Sequence, residues 1–489
     1  MRYKSFVEHW KKNKQKLLKN YVYDELDEHS SCGVGLIASL KGNSTREVVE
    51  MGIQALKVLY HRGAVDADGK TGDGAGICIN IPKKFFSEQI ERIGQKTNNF
   101  AFAVGMIFLP RTDFNAQERS RSIVESALLK EGLKIYGWRH VPINTKVIGE
   151  KAKITRPEIE QILIRNDIYE NEKEFETKLY IIRKRIENQI RKENINEFYI
   201  CSLSCRTIIY KGLFLAEQLS SFYPDILDKR FISRFAIYHQ RYSTNTFPTW
   251  SLAQPFRVLA HNGEINTLKG NKNWMSAHEP RLQHKNFKEF IDDLKPIINY
   301  NDSDSAALDS TMELLVHADR SLPMAKLMMI PEAWAHRRDF STKIKNLYAY
   351  ANAVMEPWDG PAAICAVHDE WVIAGMDRNG LRPLRYTITE DYLIAGSETG
   401  MVEIEETKIK EKGRVGPGQM IAINFDQTKL YKDKDLKLYL ASSKPFSAWT
   451  KKITHIDKLV QSVEEHFRDI DKAELRKRMT AFGWTVEDL

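Results

Sequence analysis

S-C-G-V-G-L-I-A, residues 31–38, sets one cysteine at the head of a short apolar run that carries two glycines. The reading of Cys32 decides the fold. Free cysteine is among the most buried residue types and usually behaves as a small hydrophobe, so a core role is the default for the residue alone. Its neighbours argue for more, because Gly33 and Gly35 open the backbone beside the sulfur, as close approach of a ligand or a second chain segment to a strand requires. If the Ser31–Cys32 bond is cut, the new α-amine, with a reference pKa of about 8, lies within reach of the thiol and serves as its base. One residue then supplies both nucleophile and proton acceptor, and residues 1–31 are expected to be a removable leader.

Downstream, Val48, Val49, Gly52, Ala55, Leu56 and Leu59 recur at helical period and predict a core-packing helix over 46–60. H-R-G-A at 61–64 and T-G-D-G-A-G at 71–76 follow. The latter lacks the G-K-[ST] of a phosphate loop and the glycine spacing of a dinucleotide fingerprint, so a tight loop is the better account.

The bulk composition narrows the class. A net charge of +8 against 73 basic and 65 acidic residues does not imply nucleic-acid binding, and 42% hydrophobic with 28% charged residues is ordinary for a soluble protein. No apolar run approaches the ~18 residues needed to cross a bilayer, and the basic W-K-K-N-K-Q-K-L-L-K of residues 10–19 is not followed by the apolar segment of a secretory signal. Five cysteines, at 32, 78, 201, 205 and 365, lack the dense even pattern of a disulfide scaffold, so a reducing compartment is expected. Cys201 and Cys205 lie in an apolar strand-like run, 198–210, and read as structural; no metal is expected.

The segment 158–196 reads as charged helix, with isoleucines spaced for one buried stripe. In R-F-A-I-Y-H-Q-R-Y-S-T-N-T, residues 234–246, strand alternation puts Phe235, Ile237, His239 and Arg241 on one face. Arg241 therefore needs a partner: a substrate carboxylate suits its fork of donors, although an internal carboxylate is the stronger account from this segment alone. His239 is expected to be a satisfied core histidine. Asn262-Gly263 is first a hairpin turn, yet an amide beside an unhindered N–H is also what an oxyanion site needs. Before the helix predicted from about 304, Ser303 or Asp304 can cap, and a spare carboxylate there could hold an ammonium group. From Pro361 four short apolar runs predict an antiparallel meander. The chain stops at F-G-W-T-V-E-D-L with no helix cap or polar tail, and truncation is expected.

Taken together, C-G-V-G-L at 32, H-R-G-A at 61, H-Q-R-Y-S-T-N-T at 239, A-H-N-G-E-I-N-T at 260, S-D-S at 303 and D-G-P-A-A at 359 resemble the class II glutamine amidotransferases. Q-R-Y-S-T-N-T-F-P-T-W, M-M-I-P-E-A-W and M-D-R-N-G-L-R-P-L-R-Y look like the glutaminase domains of glutamate synthases rather than the purine or asparagine relatives. The resemblance implies an α+β N-terminal-nucleophile hydrolase fold, an αββα four-layer sandwich of two antiparallel sheets between helical layers. It implies a leader over 1–31, the amidotransferase domain over 32–430, and the start of a truncated linker over 431–489. It implies that Cys32 attacks the carboxamide of L-glutamine, that Asn262 and the Gly263 N–H hold the oxyanion, and that Arg241 and Asp304 bind the α-carboxylate and α-ammonium. No cofactor is implied in this chain. FMN, an iron–sulfur cluster and the amination of 2-oxoglutarate belong to further domains, with electrons from ferredoxin or a nicotinamide-dependent small subunit. Cytoplasm or plastid stroma is the implied compartment. A non-catalytic interaction module, or a glutaminase feeding another ammonia acceptor, are the alternatives.

Overall fold

The apolar run after Cys32 is a strand buried on both faces: β1, Gly33–Ser39, has no exposed residue. The computed structural model describes residues 12, 32–97, 102–241, 247–454, 456 and 470–484. Apart from Lys12, the expected leader lies outside the described residues, as does the Y-S-T-N-T of 242–246. Further strands are β2 (Ala75–Asn80), β3 (Phe102–Leu109), β4 (Lys134–His140), β5 (Glu158–Arg165), β6 (Tyr199–Ser204), β7 (Thr207–Gly212), β8 (Phe235–Gln240) and β9 (Leu259–Gly263). After a helical stretch come β10 (Ala362–His368), β11 (Trp371–Met376), β12 (Arg385–Thr389), β13 (Tyr392–Gly396), β14 (Ile409–Arg414), β15 (Met420–Asn424) and β16 (Lys429–Tyr431).

These strands build a seven-stranded sheet, β14-β12-β13-β1-β8-β2-β7, a five-stranded sheet, β16-β15-β11-β10-β9, and a four-stranded sheet, β4-β5-β3-β6. The registered pairs are antiparallel. The first two sheets pack face to face, with β1 and β8 against β9 and β10. Helix α1, Arg46–Val58, is capped by the Thr45 hydroxyl and lies on β1 and β8, where Gly52 allows close contact with Ala236 and Ile77. On the far face of the five-stranded sheet lie two helices, residues 304–317 against β9 and 322–329 against β10 and β11. The expected αββα layering is therefore present, and the fold is α+β.

The third sheet departs from expectation. Residues 158–165, read as the start of a charged helix, form β5, a strand at the centre of that sheet. Its polar side chains are buried with partners: Glu160 accepts from Arg121 Nε at 2.9 Å and Nη2 at 2.5 Å, and Gln161 donates to Tyr210 at 3.1 Å. Tertiary pairing outweighs the helical charge pattern. β3 alternates, sending Phe102, Val104, Met106 and Phe108 into the main core and Ala103, Ile107 and Leu109 into a second core beneath α2 (Phe114–Lys130) and α3 (Glu172–Lys192). Removing Arg121 leaves the Glu160 carboxylate buried without its bidentate partner. Arg121→Ala is thus expected to cost about 3 kcal/mol or more, read as a lower denaturant midpoint; an unchanged midpoint contradicts this.

Two other readings are corrected. The single strand expected over 198–210 is two, β6 and β7, in different sheets, because the Ser204 hydroxyl accepts the N–H groups of Arg206 and Thr207, both at 2.9 Å, and turns the chain. The meander expected after Pro361 is likewise split: β10–β11 belong to one sheet and β12–β13 to the other. Asp377 makes the crossing, taking the N–H groups of Asn379 and Gly380 and, at 3.0 Å, that of Ala362.

Residues to Lys444 form one unit, including the helix Asp433–Ser442, which packs on β15. Pro445–Leu489 form another, with described helices at Phe446–Thr450 and Lys472–Ala481. No described helix is long and apolar enough to cross a membrane.

Candidate active site

Cys32 sits one residue before β1, in line with Val34. The cross-strand neighbour of Val34 is His239, whose Nε2 lies 3.1 Å from the His261 carbonyl oxygen on β9. Strand alternation turns Cys32 to the same side, into the gap between the two sheets. There the Asn262 Nδ2 donates to the Cys32 carbonyl at 2.9 Å. His239 itself is fully buried, and burial lowers its pKa to about 3, so it is a neutral core histidine. It is satisfied only in part, because Nε2 has the His261 carbonyl while Nδ1 is buried with no hydrogen-bond partner among the described residues.

Asn262-Gly263 does not form a hairpin. The pair ends β9, the edge strand of its sheet, and the chain runs on through a loop to the helix Leu268–His278. Glu264 N–H bonds the Pro361 carbonyl at 2.9 Å, so by antiparallel alternation Gly263 belongs to a non-bonded pair with Ala362 and its N–H points off the free edge. The glycine has a steric reason as well, since a Cβ there would collide with the Pro361 carbonyl oxygen.

Arg241 directly follows β8, with φ of 88° and its N–H donating to the Gly74 carbonyl at 2.8 Å. A non-glycine residue in that region stores strain of order 1–3 kcal/mol, which a structure tolerates where the placement matters. Its guanidinium Nε lies 3.7 Å from Asp73 Oδ2, so the internal partner expected for this arginine exists.

At the head of the helix Asp304–His317, here α4, the capping question is settled by Ser303, whose hydroxyl accepts from Ala306 N–H at 3.2 Å. Asp304 is thereby spared. Its carboxylate, 1% exposed, turns toward β9 and accepts the N–H groups of Ile265 at 3.0 Å and Ser305 at 2.8 Å. Asp302 faces elsewhere, accepting the Asn299 N–H at 3.1 Å.

The field at the sulfur reports on this grouping. Burial pushes the Cys32 thiol up to about 12, Arg241 and Arg382 oppose the rise, and Asp73 and Asp304 add to it. Of the five residues expected at the site, Arg241 and Asp304 act on the Cys32 thiol through their charge, and Asn262, with Gly263 beside it, is tied to the Cys32 carbonyl. Two more charges share that field and were missed: Asp73, in a loop read only as a tight turn, and Arg382, in D-R-N-G-L-R. Each lies close in sequence to a glycine with positive φ, Gly74 at 130° and Gly380 at 65°, which is the signal that could have singled those loops out. H-R-G-A is held from another side, with His61 Nε2 2.7 Å from Glu398 and Arg62 paired to the same carboxylate.

Cys201 and Cys205 are both buried, Cys205 Sγ lying 3.0 Å from Glu176, as structural cysteines should be. Among the described residues, His140, Glu158 and Glu160 form the one group with the spacing of metal ligands. Its Glu160 carboxylate is already held by Arg121.

A family model described as glutamine amidotransferases class-II matches residues 32–449. The chain belongs to that family. The amidotransferase match begins at Cys32 itself. This amidotransferase chain is 56% identical to the glutamate synthase [NADPH] large chain of Azospirillum brasilense over 99% of its own length and 32% of the relative's. It is 41% identical to the ferredoxin-dependent glutamate synthase of Pyropia yezoensis over 94% of itself and 30% of the relative. With the glutamate synthase [NADPH] large chain of Bacillus subtilis the figures are 40%, 94% and 30%. The chain thus spans about a third of the length of these curated relatives.

Proposed function

We propose that this chain, once Cys32 is its first residue, hydrolyses L-glutamine to L-glutamate and ammonia. The observation that carries the reading is the hydrogen bond from Asn262 Nδ2 to the carbonyl of Cys32, whose buried thiol also feels the charges of Arg241 and Asp304. A zwitterionic amino acid needs a cation for its carboxylate and a carboxylate for its ammonium. Arg241 and Asp304 supply that pair, leaving the side-chain amide to reach the sulfur.

The α-amine of Cys32 takes the Sγ proton as the sulfur attacks the γ-carboxamide carbon. The carbonyl oxygen becomes an oxyanion, met by Asn262 Nδ2 and the Gly263 N–H, which favour the tetrahedral state over the planar amide. Collapse breaks the C–N bond, the amine returns its proton to the departing nitrogen, and ammonia leaves a γ-glutamyl thioester. Water, its proton taken by the same amine, attacks the thioester, and glutamate departs as the sulfur regains a proton.

In the whole protein, the ammonia passes to a flavin-bearing synthase domain outside this chain, where 2-oxoglutarate is reductively aminated to a second glutamate. FMN, an iron–sulfur cluster and the electron donor, ferredoxin or a nicotinamide-dependent subunit, belong to that part. The likeness to both ferredoxin-dependent and NADPH-named large chains supports this assignment. A soluble compartment, cytoplasm or plastid stroma, fits the same assignment.

The test is ammonia release from glutamine, together with labelling by a γ-diazoketone analogue of glutamine. Adduct formation at any residue other than Cys32 counts against the proposal. Arg241→Lys keeps the charge but loses the two-pronged donor geometry, and is expected to raise KM for glutamine about tenfold with a smaller change in kcat. An unaltered KM would remove Arg241 from the carboxylate site.

A further inference from the structure

Behind the carboxylate of Asp304 stands a chain of side chains that the mechanism above does not use. Asp304 Oδ1 receives the Ser305 N–H at 2.8 Å and, by a longer leg of 3.4 Å, the Ser305 hydroxyl. Ser305 Oγ in turn lies 2.8 Å from His261 Nδ1. His261 immediately precedes Asn262 on β9 and, by alternation, faces α4 while Asn262 faces Cys32. One imidazole therefore bridges the strand that carries the oxyanion donors and the helix that carries the ammonium partner.

The proton arrangement follows from the network. For the Ser305 hydroxyl to donate toward Asp304, its oxygen must accept from His261 Nδ1–H, which leaves Nε2 a bare acceptor. His261 Nε2 is buried with no hydrogen-bond partner among the described residues, and a buried orphan N–H is the rarer and costlier defect, so the Nδ1–H tautomer is assigned. Burial lowers the pKa of His261, with Asp304 opposing and Arg382 assisting, so the ring is held neutral. Nε2 would stand 2.8 Å from a Cβ built on Gly263, so the ring lies directly beneath the oxyanion glycine.

The rest of His261 is clamped. Its N–H donates to Gln254 Oε1 at 2.7 Å, and its carbonyl accepts from Gln254 Nε2 and His239 Nε2, each at 3.1 Å. These bonds satisfy the His261 N–H and C=O on the free edge of the sheet and hold the residue along β9, while Ser305 Oγ holds the ring toward α4.

We propose that His261 and Ser305 are positioning residues that hold the carboxylate of Asp304 in register with Asn262 and Gly263, an inference that rests on the glutaminase reading. They act on the substrate through Asp304, so their effect depends on the α-ammonium of glutamine. The experiment uses the chain beginning at Cys32 and compares L-glutamine with glutaramate, the same amide without the α-amine. Ser305→Ala and His261→Leu are expected to lower kcat/KM for glutamine about tenfold, mostly through KM, and to lower it less than about twofold for glutaramate. His261→Asn, which returns a donor near Nδ1, is expected to recover most of the loss.

Equal losses on the two substrates, or none on either, overturn the proposal. Should His261→Leu fail to fold, Ser305→Ala, which removes a single oxygen, carries the comparison by itself. A parent chain that releases no ammonia from glutamine overturns the glutaminase reading and this inference with it, whereas an active parent with equal losses overturns this inference alone.

Discussion

A chain that keeps residues 1–31 joined to Cys32 is expected to release ammonia from glutamine at least about a thousandfold more slowly than the same chain beginning at Cys32, the scale of a lost general base. The reason lies in the thiol. Burial pushes it up to about 12, which leaves on the order of one thiolate in 10⁵ at neutral pH. With the Ser31–Cys32 peptide intact, the adjacent nitrogen is an amide and accepts no proton. Cleavage turns it into an amine with a reference pKa of about 8, beside the sulfur and able to take its proton as the bond to substrate forms.

The pH dependence has a definite sign. The amine works only when unprotonated, so kcat/KM of the chain beginning at Cys32 should rise with pH and level off above the amine's pKa. Below it, the value should fall about tenfold per unit. Intact mass identifies which form is present, and ammonia release is measured on each. Equal turnover by a chain whose mass still includes residues 1–31 would falsify the role of the amine.

Much of this site is legible in the amino-acid sequence because each motif sits at the end of an element whose type is locally encoded. Cys32 precedes an uninterrupted apolar strand, Arg241 ends another, and Asp304 opens a helix whose cap is spelled out by Ser303. What local pattern does not reveal is which edges meet. Asn262-Gly263 has the composition of a hairpin turn, and only its place at the free edge of a sheet, with Pro361 crowding the glycine, makes it something else. Asp73 and Arg382 were missed for the same reason, each being a charged residue in a glycine-punctuated loop that reads as ordinary surface until the fold brings its charge to bear on the Cys32 thiol. The third sheet was hidden because Glu160 and Gln161 break the apolar pattern of β5, and the arginine that accommodates Glu160 is on a helix 39 positions away in sequence.

Asn262→Ala is expected to lower kcat by about 10²–10³-fold while leaving KM for glutamine within roughly threefold. Nδ2 stands 2.9 Å from the main-chain carbonyl of the residue that bears the sulfur, Cys32, and its position on β9 is fixed by the pairing of Asn262 with Ala363. A ground-state amide oxygen gains little from that donor, whereas an oxygen bearing a full charge gains much, so the loss belongs in kcat. Asn262→Asp should be worse than the alanine, because it sets a carboxylate where negative charge develops. Gly263→Ala acts through the second donor: its methyl would meet the Pro361 carbonyl and the His261 ring, pushing the strand edge and its N–H out of line. If Asn262→Ala instead raised KM and spared kcat, Asn262 would be a substrate-binding group, and the oxyanion would need another donor.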